Sequence, residues 1–372
     1  MGAGFLLASP PLVRGIPVQK VAIFSVGTVT IYNQDVRALY EAWPTPDVIV
    51  SDGGYGVSGF PGDPHEHSGL ASWYADHIRA WATKSRPGST LWFWNTELGW
   101  ATVHPLLEAA GWDYVCCNVW NKGIAHIAGN CNLPVLKGFP VVTEVCVQYV
   151  RRAEFLVDGQ KQPLKVWLRH EWERTGIPLS KANEACGVAN AATRKYLTKD
   201  HLWYAPPTEV FSRLSAYANK HGIKSGRPYF SIDGRYPLSS AQYDRLFPTF
   251  QGKYGITNVW THPPLHNGER LRIRGSTKYT HLNQKPLALV SLTIDVSSQP
   301  GDIVWEPFGG LCTGALASLP MGRTAFAAEI DPLIFKAAVS RFSESSIPLF
   351  LSSEDTYKVI KENAETDAYS PR

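Results

Sequence analysis

The sequence contains no C-x-x-C pair and no histidine cluster at zinc-ligand spacing. Its six cysteines, Cys116, Cys117, Cys131, Cys146, Cys186 and Cys312, therefore outline neither a metal knuckle nor a disulfide framework. Reduced thiols in a cytoplasmic protein without a bound metal are the expectation. No apolar run reaches the roughly 18 residues that a membrane span requires. Met1 to Pro17 holds an apolar patch around Phe5-Leu6-Leu7 but no basic segment ahead of it, so it does not read as an export signal. Charge is scarce: 18% of the 372 residues are charged and the formal net charge is +4, which permits nucleic acid as a partner without demanding it. A G-K-[ST] phosphate loop, an internal repeat and a low-complexity tract are all missing.

Apolar residues make up 44% of the chain and aromatic residues 12%, with thirteen Trp. That is enough to bury a large domain and a smaller appended one. The first 150 residues read as α/β. Short strands at Val21–Phe24 and Val29–Tyr32 flank a turn at Gly27, and a buried strand Asp47–Val50 runs into Ser51-Asp52-Gly53-Gly54-Tyr55-Gly56. Helices are expected over Gly69–Thr83 and Thr102–Ala110, and strands over Thr90–Trp94, Trp112–Val119 and Val141–Val150. Alternating strands and helices imply a mostly parallel sheet covered on both faces. Trp92 and Trp94 read as core.

The pattern changes after Arg151-Arg152. Helical stretches at Lys165–Arg174, Leu179–Ala185 and Asn190–Leu197, the last two joined by a Cys186-Gly187-Val188 turn, suggest a helix-turn-helix. Arg151 to Asp200 holds ten Lys/Arg against six Asp/Glu. Arg194, Lys195 and Lys199 on the candidate recognition helix Ala191–Lys199 are the candidate DNA contacts. Plain three-helix packing is an equally good account of this segment. Pro206 to Gly275 reads as loop-rich. A second α/β block then follows: helix Pro286–Val296, strand Gly301–Trp305, a short helix from Ala315, strand Thr324–Ala328 and helix Pro332–Phe342, with a polar tail past Leu351.

In this last block a strand enters Glu306-Pro307-Phe308-Gly309-Gly310-Leu311-Cys312-Thr313-Gly314, and the next strand ends at Glu329. Glycines that admit a ligand to the backbone, followed by an acid at the next strand's tip, form a nucleotide-binding arrangement. The glycine spacing is wrong for the dinucleotide G-x-G-x-x-G turn. Such turns are also common packing devices.

The segment His281-Leu282-Asn283-Gln284-Lys285-Pro286, a helix, and then Gly301 to Gly310 resembles the cofactor region of DNA amino-methyltransferases. There a Lys-Pro helix start precedes an Asp-Pro-Phe-x-Gly-x-Gly turn. The resemblance implies that Lys285, Pro286, Glu306, Pro307, Phe308, Gly310 and Glu329 hold S-adenosylmethionine. Glu306 stands in place of the family's Asp, and Cys312 in place of a later Gly, close to the ligand. The family's [Asp/Asn/Ser]-Pro-Pro-aromatic loop is matched by Asp52-Gly53-Gly54-Tyr55, with Gly-Gly for Pro-Pro; a plain Gly-rich turn is the bland account. By resemblance Asp52 and the Gly53 carbonyl accept the N–H bonds of an exocyclic base amine, and Tyr55 stacks on a base flipped from double-stranded DNA. Two ordered glycines cost about 1–2 kcal/mol more than prolines, so the loop is expected to set as the base enters. The order of motifs, with a basic insert between the two halves, resembles the permuted beta class. Asp35 is either an acid near the cleft or a solvated turn residue, and His65 and His126 read as loop histidines.

The expectation is thus a Rossmann-like methyltransferase fold of about seven strands. Its catalytic half is residues 1–150, its target-recognition insert 151–275 (helix-turn-helix near 165–200), its cofactor half 276–350 and its tail 351–372. The implied activity is adenine-N6 methylation of DNA in a prokaryote or phage, with a cognate restriction enzyme admissible as a partner. Cytosine-N4 methylation, methylation of RNA or protein, and a catalytically silent DNA-binding relative are the alternatives.

Overall fold

In the computed structural model, residues 4–7 (as backbone), 21–57, 63–127, 135–265, 269–271 and 283–343 are described. The Phe5–Leu7 side chains, Cys131, His281, Leu282 and the 351–372 tail fall outside them. Among the described residues, no helix is long and apolar enough to cross a membrane and no His/Cys/Asp/Glu group could hold a metal.

The chain divides into two compact units, one built from the chain up to Arg151 and from Thr249 onward, the other Arg152–Pro248. The expected insert boundary at 275 is therefore corrected to Pro248. The physical reason is that residues after it join the first unit: Val259–Thr261 pairs with a sheet strand, and the Gln251 amide donates to the Val296 carbonyl.

The first unit is one sheet. Its strands are β1 (Gly4–Leu7), β2 (Ala22–Val26), β3 (Val29–Asn33), β4 (Val48–Ser51), β5 (Thr90–Asn95), β6 (Trp112–Asn121) and β7 (Thr143–Arg151). After β8 (Glu154–Val157) and β9 (Gln160–Pro163), which form a hairpin in the second unit, come β10 (Val259–Thr261), β11 (Ile303–Glu306) and β12 (Thr324–Ala328). The spatial order is β1-β2-β3-β12-β11-β4-β5-β7-β6-β10. Ten strands are present among the described residues, and the expected sheet of about seven lies within them. The seven from β3 to β6 make the central sheet, extended at one edge by the β1–β2 hairpin and at the other by short β10. Pairing is parallel from β3 through β5, whereas β7 runs antiparallel between β5 and β6.

Every residue of β4 and β5 is buried, as strands covered on both faces require. On one face pack α1 (Leu70–Lys84) and α2 (Glu97–Ala109), with Trp43, Trp81, Trp112 and Trp305 in the core between them and the sheet. On the other face lie the helices that follow Pro286, Cys312 and Asp331, with Trp92 and Trp94 in that core. Each buried indole contributes about 2–3 kcal/mol of burial free energy, which accounts for much of the Trp content as core.

Asp47 clamps the two halves of the chain together at the amino end of β4. One carboxylate oxygen accepts the Ile303 amide at 2.8 Å and the other accepts the Arg86 guanidinium at 2.5–2.9 Å. β4 and β11 are thereby neighbours although about 250 residues separate them. Their tips, Asp52 and Glu306, emerge side by side at the carboxyl edge, where open α/β sheets hold ligands.

The second unit packs α3 (Leu164–Arg174), α4 (Ala182–Cys186), α5 (Thr208–His221) and α6 (Ser240–Asp244) around Trp167, Trp172, Phe211 and Tyr243. Wholly buried Glu171 ties it together, accepting from Arg174, Arg227 and the Phe230 amide. Two expectations are corrected here. The stretch after Pro206 is not all loop: α5 begins after Pro207, buries Val210, Phe211, Leu214 and Ala218 at helical spacing, and ends on Lys220-His221. The candidate recognition helix is a single π turn, Ala192–Tyr196. Asn183 Oδ1 accepts the Ala192 and Thr193 amides, and Leu197 bonds back five residues to Ala192, which stops the turn from extending. The remaining helices are α7 (Leu287–Ser297), α8 (Thr313–Ser318) and α9 (Pro332–Ser343) in the first unit.

Candidate active site

Two loops with no sequence proximity share one cavity of about 640 Å³. The β4 loop contributes Asp52, Gly53 and Tyr55. The later part of the chain contributes Lys285 ahead of α7, Glu306 at the end of β11, Pro307, Phe308 and Gly310 in the turn after it, and Glu329 just past β12. Gly54 and Pro286 lie behind the wall. The Gly54 carbonyl accepts from Asn95 Nδ2 at 2.9 Å and from the Tyr74 hydroxyl at 3.2 Å, and Pro286 is the N-cap of α7. Those two bonds tie the glycine loop to the end of β5 and to α1. Gly53 meets a spatial demand: a Cβ there would lie 2.7 Å from both the Phe308 ring and the Tyr74 oxygen. Phe308 itself sits among Trp73 and His77, with ring centroids 5.1 and 4.8 Å away. Burial lowers the His77 pKa to about 4, so the ring is neutral, and its Nδ1 is 2.9 Å from the Tyr40 hydroxyl.

On the neighbouring strand, β11 ends in buried Glu306, whose two oxygens accept the Gly314 and Ala315 amides at 2.8 Å and so cap α8. At the tip of β12, Glu329 accepts the Gly310 and Asp331 amides at 2.7 Å. Gly310 has φ of +50°, a left-handed conformation that suits glycine. Burial pushes both carboxyls up to about 7, outweighing the backbone donors that favour the charged form. Cys312, expected close to the ligand, does not line the cavity: it is fully buried and joins the core shared by α7 and α9. Arg341 from α9 donates to the Leu311 carbonyl and to Thr313, bracing the turn from behind.

The sequence matches the N6/N4-type DNA methylase family over residues 46–340, a span that begins before the β4 loop and ends beyond Glu329. The chain belongs to the DNA methylase family. It is 35% identical over 104 residues to the DNA adenine methyltransferase YhdJ of Escherichia coli, a match covering 28% of this chain and 32% of YhdJ. It is 28% identical over 161 residues to the type II methyltransferase M.HindIII of Haemophilus influenzae, covering 39% of this chain and 52% of that protein. The matches thus span a third to a half of those relatives' lengths. Among solved structures, the cytosine-N4-specific PvuII DNA methyltransferase aligns at 12% identity with a TM-score of 0.49, covering 92% of this chain and 94% of its own.

The motif residues are joined by two that sequence reasoning missed, Glu144 and Lys122. Lys285, only 4% exposed, places Nζ 2.8 Å from Asp52 Oδ1 and 3.0 Å from Glu144 Oε1. Lys122 pairs with Glu144 Oε2 at 2.9 Å. The Tyr55 hydroxyl reaches both Asp52 Oδ1 (2.7 Å) and Glu144 Oε1 (2.5 Å), and its ring lies under the Lys285 ammonium. Burial would neutralise Lys285 and Glu144, but their opposite charges prevail: Lys285 is held above its ordinary pKa by Asp52 and Glu144, and Glu144 below its own by Lys285 and Lys122. Lys285 is therefore built onto the Asp52 loop and not left free on the Glu306–Glu329 wall. The signal for Glu144 was a carboxylate one residue into a strand that is otherwise apolar up to Val150 apart from Gln148.

Asp35 lines the cavity and also caps a 3-10 turn, accepting the Arg37 amide and pairing with its guanidinium. His65 and His126 are exposed. Arg194, Lys195 and Lys199 are exposed in the second unit, Lys199 lying 3.4 Å from Glu173.

Proposed function

We propose that this chain transfers a methyl group from S-adenosylmethionine to an exocyclic base amine in DNA, N6 of adenine being the favoured target. The observation that carries this reading is that the Asp52 loop and the Glu306–Glu329 wall line one cavity. The cavity fits the cofactor: its volume lies in the range of ligand sites of that size, and the Gly309–Gly310 turn offers backbone without side chains. Glu306 and Glu329 suit a cationic amino group and ribose hydroxyls, since a carboxylate oxygen that accepts one backbone bond can accept another. When bound, S-adenosylmethionine supplies an electrophilic methyl on sulfonium.

The chain's own work is to orient the nucleophile. An exocyclic amine conjugated into its ring attacks poorly unless acceptors take its N–H bonds. Among the described residues, every bond to Asp52 falls on Oδ1, which leaves Oδ2 for one amine hydrogen. The Gly53 carbonyl takes the other, the Gly54 carbonyl being committed to Asn95 and Tyr74. This is positioning with preorganised electrostatics and requires no covalent enzyme intermediate. Asp at the head of the loop, together with the similarity to an enzyme named an adenine methyltransferase, supports adenine.

Incubation with tritiated S-adenosylmethionine and mixed genomic DNA, followed by mass spectrometry of nucleosides, should yield 6-methyladenine. A product containing only 4-methylcytosine would overturn the base assignment. Cofactor binding without transfer to any DNA would leave a silent DNA-binding relative.

The raised carboxyls add a pH dependence. In the unliganded chain Glu306 and Glu329 bind protons up to about pH 7, which their unfolded forms lose near the ordinary value of 4.5. Stability of the unliganded fold therefore falls as pH rises through that window. A cationic ligand favours the carboxylates, so cofactor affinity should rise between pH 6 and 8, by about tenfold for each group that must deprotonate. Calorimetry in two buffers of different ionisation heat should detect the released protons. Affinity that is flat over this range would refute the coupling.

In the second unit, Arg194 and Lys195 are the proposed phosphate contacts. R194E/K195E should weaken DNA binding at low salt and flatten the salt dependence by about 0.9 in slope per lost contact. Lys199→Ala should matter less, since Lys199 already faces Glu173. Unchanged salt dependence in the double variant would remove this turn from the DNA interface.

A further inference from the structure

We infer that Glu144 is a positioning residue for methyl transfer, sharing the Lys285 ammonium so that Asp52 is held in place without being neutralised. The inference deepens the methyl-transfer reading and rests on it.

β7 delivers Glu144 to the site. It runs antiparallel to β5, so its first residues lie at the same edge as the β5 tip, with Val145 opposite Asn95 and Glu144 opposite Trp120 of β6. Lys122, one residue past β6, is fixed by the hydrogen bond that its backbone N–H donates to the Val142 carbonyl. Four charges then meet in a buried space, Asp52 and Glu144 against Lys285 and Lys122, and they balance. An ammonium has three donor protons, and Lys285 has three acceptors: Asp52 Oδ1, Glu144 Oε1 and, at 3.3 Å, the Asn283 carbonyl. Its capacity is filled.

A buried ammonium paired with Asp52 alone would draw electron density away from the oxygens that must accept the amine hydrogens. Glu144 supplies the second negative charge, at nearly the same distance as the first. It also shares the Tyr55 hydroxyl, whose single proton can serve only one of the two carboxylates at a time. The pair of shared donors fixes Asp52 Oδ1 in direction while the net charge of the cluster stays at zero. Glu144 does not line the cavity, so it acts through Lys285 and Tyr55 and not by touching substrate.

The test compares the shape-preserving E144Q with the charge-preserving E144D in single-turnover transfer of tritiated methyl to genomic DNA, with cofactor Kd and thermal midpoint measured on each. E144Q should fall about 10–100-fold in transfer rate, the range of losing one preorganised electrostatic partner. Its cofactor Kd should stay within about threefold, because the Glu306–Glu329 wall is untouched. E144D should recover most of the rate although it fits the space less well. A structural role predicts the reverse order, with E144Q the milder change and the thermal midpoint tracking the rate. E144Q transferring at the unaltered rate, or E144D worse than E144Q, overturns the inference while the methyl-transfer reading stands. No transfer by the unaltered chain to any DNA overturns that reading and this inference with it.

Discussion

Asp52→Asn is expected to lower methyl transfer about a thousandfold, the scale of removing a group aimed at charge developing in the transition state. The amide keeps the size of the carboxylate and one oxygen for Lys285 and Tyr55, so the Oδ1 bonds survive in kind. What is lost is the second acceptor: an –NH2 would face the amine and present hydrogens to hydrogens. Asp52→Ala should cost at least as much in rate, but it is the poorer experiment. It leaves Lys285, 4% exposed, with Glu144 as its one remaining carboxylate among the described residues, and an under-compensated buried charge destabilises by a few kcal/mol. Cofactor binding should stay within a few-fold in the Asn variant, because Glu306 ends β11, and Gly310 and Glu329 lie in the turns just past β11 and β12. Single-turnover transfer and calorimetry, run together, separate the two effects. Transfer within tenfold of the unaltered chain would remove Asp52 from the chemistry.

What could be read from sequence was what is local. The strand before Asp52 and the strand before Glu306 are short apolar runs ending in acid and glycine, and both appear where periodicity and turn chemistry put them. The cavity joining them follows from the topology of parallel sheets, which sends strand tips to one edge. The partners inside the site were not legible. Nothing near Lys285 in sequence shows that its ammonium will meet Asp52, more than two hundred residues upstream, or Glu144, on a strand of opposite direction. Cys312 was misplaced for a related reason: proximity in sequence to the glycine turn does not tell whether a side chain faces ligand or core. In the second unit, Arg194 and Lys195 suggested a recognition helix, but the Asn183 side chain caps the segment into one turn, a tertiary contact that composition does not display. The helix α5 was hidden by the Pro and Gly residues around it, although its apolar spacing was present.

The second large effect concerns Gly53, and it is best expressed as a coupling. Gly53→Ala puts a methyl 2.7 Å from two ring carbons of Phe308 and from the Tyr74 oxygen, closer than carbon atoms in proteins approach. Phe308 has little room to yield, since Trp73 and His77 pack against its ring. The β4 loop must therefore move, and a shift of about 1 Å at the amine acceptors costs on the order of a hundredfold in rate. Phe308→Ala alone should weaken cofactor binding and leave a cavity, for a loss of about 3–5 kcal/mol in stability. Combined, the two changes should be less than additive, because the second removes half of what the first collides with. Rescue remains incomplete while the Tyr74 hydroxyl is present. That hydroxyl also donates to the Gly54 carbonyl, so Tyr74→Phe would clear space but give up one of the two bonds that order the loop. The cycle over Gly53→Ala and Phe308→Ala, read by transfer rate and thermal midpoint, should thus show a favourable interaction term of about 1–2 kcal/mol. Strict additivity would mean that the loop and the cofactor wall do not touch in solution, and the shared cavity would lose its basis.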